Sequence, residues 1–502
     1  MRANTRNARL KNEKYTPKNL LDGRAPRKGY EAFLKTILKT DLRGDKLGVA
    51  WFPVEIAERK FWSEILRHCM VLTPIGRFRG AVQSLGVRMP RAIVVGGSLG
   101  GLFAGNMLLR AGCDVTIIER SLGELEGRGA GLGVHPSMLE GLLAAGARVD
   151  GAVGVAVAGR VALARDGSVA AELPMPQFCT SWARLYNMLN DAFPEERVRR
   201  GVELVEFEQD DDGVTARFAD GETLRGDLLV GADGVRSTVR RQLYPDAELI
   251  YAGYIAWRGM VEERALSPST HAALFNRFGW GLMPGEHIVG YPVPGIGDDL
   301  TLGRRRYNIV WYRPVAAEPD LRDMLTDSSG RHHPDGIPPQ SIRPEFIATM
   351  RRDAEALLAP QWAEMVMSCE QPLFQPIGDL VSPEMAVGRV ALLGDAAFVA
   401  RPHAARGAIK AGHDAMALAA TFSPARVTES LRRYDELRRA PNLAVVAEGR
   451  RLGAYLEGKA SRVADPSAFM RENGGVELSD VDGGLFFRLL ADAGISGAQG
   501  SG

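Results

Sequence analysis

The stretch from Arg91 to Glu119 constrains this chain more than any other. A short β-branched run, Arg91-Ala92-Ile93-Val94-Val95, leads into Gly96-Gly97-Ser98-Leu99-Gly100-Gly101 and then into the apolar helical run Leu102 to Leu109. Gly112 reads as the C-cap of that helix, and Cys113 to Ile118 as a second strand ending in Glu119. The order strand, glycine turn, helix, strand is a βαβ beginning. Its chemistry explains the spacing: the first Gly permits the tight turn, a small third residue lets backbone N–H groups approach a pyrophosphate, and the last Gly lets helix and strand pack. Ser98 stands where a middle glycine is usual. Glu119 follows Gly101 by eighteen residues, where a carboxylate can accept from an adenosine ribose hydroxyl. The unit predicts dinucleotide binding, against the plainer reading of a structural glycine turn.

The chain has 502 residues, 45% of them hydrophobic and 25% charged, enough for a sizeable core and ordinary for a globular protein. No run approaches eighteen apolar residues, and Met1 to Lys18 lacks the apolar core of a secretory signal, so a cytoplasmic location and no membrane contact are expected. Charge is uneven. Residues 1 to 60 hold eight Lys and seven Arg against seven acids, while after Lys60 the only lysines are Lys410 and Lys459. A boundary near residue 88 follows, with residues 1–88 a basic extension of unknown role. A dispensable extension, or sequence upstream of a start at Met89, is the plainer reading, and a contact arm is the functional one. No nucleic-acid partner is expected. The four cysteines, Cys69, Cys113, Cys179 and Cys369, form no C-x-x-C pair, so they read as buried small hydrophobes. His332 and His333 lie in a loop without further ligand spacing, and no metal is expected.

Two later segments repeat one logic, an apolar strand running into a polar turn. One is Gly226 to Ser237 with Asp233-Gly234 at its tip, and the other is Gly388 to Ala397 with Gly394-Asp395. Each alone is an ordinary strand and turn. In this order behind the dinucleotide unit, the three resemble the single-component FAD-dependent aromatic hydroxylases, the group A flavoprotein monooxygenases, over roughly residues 90 to 460. Finer features are similar to the 2,6-dihydroxypyridine 3-monooxygenase branch. These are the Gly97-Ser98-Leu99-Gly100-Gly101 turn, Tyr251 to Gly259, Gly290 to Gly295, and Ala397 to His403.

The resemblance implies an α/β fold: a Rossmann-like FAD-binding domain of discontinuous segments (89–250 and 370–460), an inserted β-sheet substrate domain (251–369), C-terminal helices and a tail (461–502). It implies FAD as cofactor, with Gly96, Ser98, Leu99, Gly100, Gly101, Glu119 and Arg120 at its ADP half. Asp233 then lies near flavin and nicotinamide, Gly394 and Asp395 at the ribityl chain, and Pro402, Ala405 and Gly407 in the turn beside the ring. Arg128, in the glycine-rich loop Arg128 to Pro136, takes a ribose or phosphate contact. Relatives carry an Arg ahead of Leu185 where this chain has Trp182, so Arg184 or Arg128 must supply that charge. The implied chemistry is hydride transfer from NADH or NADPH to FAD, reaction with O₂ to a C4a-hydroperoxide, and transfer of one oxygen to an activated hydroxypyridine or phenol.

The segment 251 to 312, rich in Tyr, Trp and Pro, supplies the substrate candidates. Tyr254, Trp257, Arg258, Tyr291 and Tyr312 are expected to line a flat cavity with Pro402, Arg258 stabilising an oxyanion or carbonyl. Strand aromatics are more often core, which is the competing reading for each. Arg258, Tyr254 and His403 are the catalytic candidates, His403 as a proton shuttle or, alternatively, a structural histidine. A flavin-dependent halogenase is disfavoured because the chain lacks a W-x-W-x-I-P segment and a suitably placed lysine. A catalytically idle flavoprotein acting as a binding or regulatory module stays open, as does a homodimer. From Pro424 to Leu456 helical spacing is expected to stop at Pro441, and Gly494 to Gly502 to be frayed.

Overall fold

The structure, a computed structural model, describes residues 89–123, 131–149, 153–457, 463–474 and 484–493. The expectations placed on residues 1–88, on Cys69, on Arg128 and on Gly494 to Gly502 lie outside the described residues.

A six-stranded sheet forms the first layer, in the order Ala386–Val387, Val390–Leu392, Leu228–Gly231, Arg91–Val95, Asp114–Glu119, Val198–Arg200. All pairs are parallel except the first. Its central strands are continuous apolar runs because both faces are covered, as parallel sheets require. The helix Leu99–Arg110 lies buried along most of its length and packs against the helix Gly407–Thr421. Three of these strands end in the three turns singled out above, so those turns meet at one edge, where α/β sheets bind their ligands.

The second layer is an eight-stranded sheet. Its order is Phe398–Val399, Leu373–Val381, Ile250–Glu262, Arg306–Pro314, Glu286–Val293, Arg277–Met283, Gly159–Leu163, Val169–Leu173. The last two strands come from the segment assigned by sequence to the FAD domain, and the first two from beyond residue 369. The boundaries at 251 and 369 therefore do not divide the two sheets: sheet edges recruit strands by pairing, which composition does not report. One face of this sheet packs on the helices Pro344–Leu357 and Pro360–Met367 through Trp257, Tyr307, Trp311 and Trp362. The other carries Tyr254, Phe278, Trp280, Tyr291 and Tyr312 toward the first layer. The long strand Ile250–Glu262 slips register between Tyr251 and Ile255, where Gly253 adopts a positive φ of 84°.

Two C-terminal observations revise the sequence reading. The helix Val427–Gly453 continues through Pro441. Leu431, Tyr434, Val446 and Leu452 are buried on both sides of it, and buried Asn442 donates to Asp414 (2.9 Å), so packing outweighs the local break. Within 461–502, the part assigned to a tail, residues Pro466–Glu472 and Gly484–Asp492 are helical. Asp465 caps the former with bonds to Ser467 N (2.8 Å) and Ala468 N (3.1 Å). Cys113, Cys179 and Cys369 are buried free thiols.

Candidate active site

The first turn is shaped for close approach. Gly96 has φ 105°, and a Cβ there would stand 2.4 Å from the Ala232 carbonyl oxygen; one at Gly101 would stand 1.7 Å from that of Gly96. Ser98 caps the helix in extended conformation without using its side chain, which leaves the first-turn N–H groups facing outward from the turn. Glu119 is buried, its two carboxylate oxygens accepting from Gly97 N and Ser121 N, each at 2.8 Å. Each oxygen keeps a further lone pair for a ribose hydroxyl. This cradle, with the positive end of the helix behind it, fits the pyrophosphate and ribose of FAD. Arg120 is exposed at the end of its strand.

Asp233 accepts from Thr238 N (2.7 Å) and Val239 N (3.3 Å) through Oδ2, so that oxygen caps the helix Thr238–Leu243. Its Oδ1 is buried without a partner, and burial raises its pKa. The Gly394-Asp395 turn is held from behind. Gly394 has φ 63° and donates to the fully buried Asp414 (3.1 Å), which also takes Arg438 Nε at 2.8 Å. The ammonium of Lys410 is buried without a hydrogen bond, 3.7 Å from Asp395 Oδ1. Gly407 begins the helix that carries Lys410. Arg184, offered by the sequence as a replacement cation, forms an ion pair with Asp298 at 3.7 Å. Trp182 stacks on Tyr186 and reaches the cavity described next.

Between the two sheets lies a cavity of about 1150 Å³. Arg258, Tyr291 and Tyr312 line it from the sheet, and Asp395, Pro402, His403 and Ala405 from the flavin turn. Arg258, Tyr291, Tyr312, Asp395, Pro402, His403 and Ala405, all singled out by the sequence, thus converge on one space. Tyr254 stands one layer back, fully buried, its hydroxyl 2.8 Å from His403 Nε2. Trp257 does not reach this cavity. Side chains alternate along a strand, so with Tyr254 and Arg258 facing inward Trp257 must face away, and it packs on Phe374 at 5.2 Å between ring centres.

Burial pushes the His403 pKa down to about 3, with the neighbouring Arg401 adding to the effect. His287 is lowered by burial and then by His403, whose ring lies 5.6 Å away, while Nδ1 of His287 is hydrogen-bonded to the Tyr455 hydroxyl. Burial raises Tyr312 to about 12 and lifts Tyr254 and Tyr291 further. His403, His287, Tyr312 and Tyr291 therefore present neutral side chains to the cavity at pH 7, on a wall that also carries the guanidinium groups of Arg258 and Arg306. Tyr291 donates to Gly131 O at 2.7 Å, so its hydroxyl is engaged.

Sequence reasoning missed His287, Trp280, Asn308 and the C-terminal Asn473 and Gly474, all on the cavity wall. His287 and Asn308 sit on the same strand faces as the recognised Tyr291 and Tyr312, so period two could have found them, whereas the strand of Trp280 held no recognised residue. Asn473 gave no such signal. Arg258 Nε, on the cavity wall, is buried without a partner.

Comparison with known proteins agrees with this geometry. Residues 90–249 match a family described as FAD binding domain, and 251–379 one described as FAD binding domain-like. The chain is 34% identical over 333 residues to a 2,6-dihydroxypyridine 3-monooxygenase of Paenarthrobacter nicotinovorans, covering 66% of this chain and 83% of that protein. A solved 2,6-dihydroxypyridine-3-hydroxylase from Arthrobacter nicotinovorans superposes with TM-score 0.70 at 31% identity, over 76% of this chain and 96% of that one. The fold is shared too with a Klebsiella pneumoniae protein, HpxO, solved with FAD and uric acid (TM-score 0.59, 22% identity, 80% of this chain and 96% of that one). Glycine cradle, Gly-Asp turn and relatives coincide: the chain belongs to the FAD-dependent aromatic monooxygenases.

Proposed function

We propose that the protein uses NADH or NADPH and O₂ to hydroxylate an electron-rich hydroxypyridine or phenolic ring, one oxygen atom entering the ring and the other leaving as water. The observation that carries this reading is that the Asp395 to Ala405 turn and the sheet residues Arg258, Tyr291 and Tyr312 line one shared cavity. When bound, FAD supplies the oxygen-activating chemistry. The chain's own residues supply the rest. Gly96, Ser98, Gly101 and Glu119 would hold the ADP half, and Asp395 the chain leading to the ring.

Arg258, a cation on the cavity wall, stabilises the negative charge of a ring oxyanion, which raises electron density on the ring. His403 is neutral at pH 7 and bonded at Nε2 to Tyr254. It orients a ring hydroxyl and passes its proton without retaining charge. Phe278, Trp280 and Tyr312 keep bulk water from the ring. The likeness to a 2,6-dihydroxypyridine 3-monooxygenase supports a hydroxypyridine as the first substrate to try.

The test is to record the visible spectrum of the purified protein for FAD, then follow NADH and NADPH oxidation under O₂ with 2,6-dihydroxypyridine, resorcinol and other hydroxylated rings. Accelerated oxidation with a product one oxygen heavier upholds the proposal. FAD binding with no ring compound altering the rate removes the substrate class.

A further inference from the structure

Buried polar groups in a folded protein are hydrogen-bonded, and those that are not, when gathered around a cavity, describe the complement of what the cavity takes. Five residues of this cavity wall carry such atoms: Trp280 Nε1, Asn308 Nδ2, Arg258 Nε, Arg306 Nε and Asn473 Oδ1. Four are donors and one is an acceptor. The two amides are oriented by their other ends. Asn308 Oδ1 accepts from Gly131 N at 3.0 Å, which leaves its NH₂ free; Asn473 Nδ2 donates to Phe469 O at 3.1 Å, which leaves its oxygen free. Asn308 is 1% exposed and Asn473 2%, so solvent does not satisfy either.

Asn473 comes from the C-terminal segment, and the fold fixes it there by unusual means. Arg160 is fully buried, and among the described residues no carboxylate pairs with it. Its guanidinium donates to the carbonyl oxygens of Met470 and Asn473 and to Gln177 Oε1 (2.8 Å). Gly474 N adds a bond to His403 O at 3.2 Å, tying the segment to the flavin turn, and Phe469 packs edge-on against Trp280 at 5.4 Å. A buried cation spent on two backbone carbonyls makes sense where the position of that backbone matters.

We propose that Asn473 is a specificity-determining residue, accepting through Oδ1 a hydrogen bond from an N–H or O–H on the substrate, while Trp280, Asn308 and Arg258 donate to its oxygens. Arg160 is the positioning residue that holds it. The ligand class is a ring bearing acceptor oxygens and at least one donor, and its fully methyl-capped analogue is rejected. This rests on reading the cavity as the substrate site.

The test uses the FAD-loaded full chain and two probe pairs, 2,6-dihydroxypyridine against 2,6-dimethoxypyridine and resorcinol against 1,3-dimethoxybenzene, with Kd read from perturbation of the flavin spectrum. The wild type is expected to prefer the uncapped member of a pair by about ten- to a hundredfold. Asn473→Leu should bring that ratio close to one, and Asn473→Ala, which removes the same oxygen without bulk, should do the same. Asn473→Asp, which keeps an acceptor, should retain it. Equal binding of both members by the wild type overturns the assignment, as does an unchanged ratio in Asn473→Leu and Asn473→Ala; both leave the substrate reading standing. A holoenzyme that binds no member of either pair overturns the substrate reading and this assignment with it.

Discussion

His287 and His403 stand 5.6 Å apart in the cavity wall, among Tyr254, Tyr312 and Tyr455 and with Arg401 behind, and both are held neutral. The sign of the resulting pH dependence follows from His403. Its folded pKa of about 3 lies below the ~6.5 of an unfolded histidine, so above pH 6.5 neither state is charged and the full stability is present. As pH falls below 6.5 the unfolded chain takes up a proton that the folded chain refuses, and stability drops by up to ~1.4 kcal/mol per pH unit. Urea unfolding from pH 7.5 to 5 should show this decline, and His403→Gln should make it shallower, leaving the share due to His287; parallel slopes in the two proteins refute the account. Lys410 poses the converse case. A buried ammonium with no hydrogen bond costs stability, and its one described ion-pair partner is Asp395. Lys410→Met is therefore expected to leave the melting temperature of the FAD-free protein equal or higher while weakening FAD binding about tenfold, measured by fluorescence titration. Both groups were legible as residues, His403 by its place after Pro402 and Lys410 as a rare lysine, but the partners each is buried against lie 149 and 15 positions away in the chain.

At the level of elements, local signals were reliable wherever one strand or one turn carried the whole message. The glycine turn and Glu119 came out of spacing, because backbone geometry dictates those residue types, whereas the Gly394-Asp395 turn read alone as an ordinary strand end and took its role from the resemblance. Trp257 misled because composition names the residues of a strand without naming which face is wet; only the pairing of Trp257 with Trp311 and Phe374 decides that. Pro441 misled in the opposite direction. Its cost is real, since it removes the N–H that would bond to Leu437 O, yet the helix packs on either side and spans the defect. Pro441 is exposed, so replacement meets no packed neighbour. Pro441→Ala should raise stability by about 1 to 3 kcal/mol in urea unfolding, with the flavin spectrum unchanged. A stability loss would mean that the proline ring serves a local kink.

At the scale of the whole molecule, what the sequence could not convey is how distant segments close one cavity. Gly131, Arg258, Asp395 and Asn473 share a wall although the first and last are separated by most of the described chain. The eight-stranded sheet likewise joins Gly159–Leu163 to Arg277–Met283 in parallel, a pairing of long sequence separation that no window of residues contains. Among the described residues, every named strand finds its partners between Arg91 and Val399, and the first family match begins at residue 90. Among the described residues, the strands and the cavity lining all lie after Met89, and the cavity lining includes Asn473 and Gly474. This asymmetry predicts opposite outcomes for two deletions. A chain starting at Met89 should bind FAD at the same stoichiometry as the full chain, with a melting temperature within a few degrees. A chain ending at Glu457 removes the carbonyls that Arg160 binds and strands a buried guanidinium, at a cost of about 3 to 5 kcal/mol. It should melt markedly lower in thermal unfolding. If instead the N-terminal deletion abolishes FAD binding while the C-terminal one leaves it intact, the body of the enzyme extends upstream of its first strand.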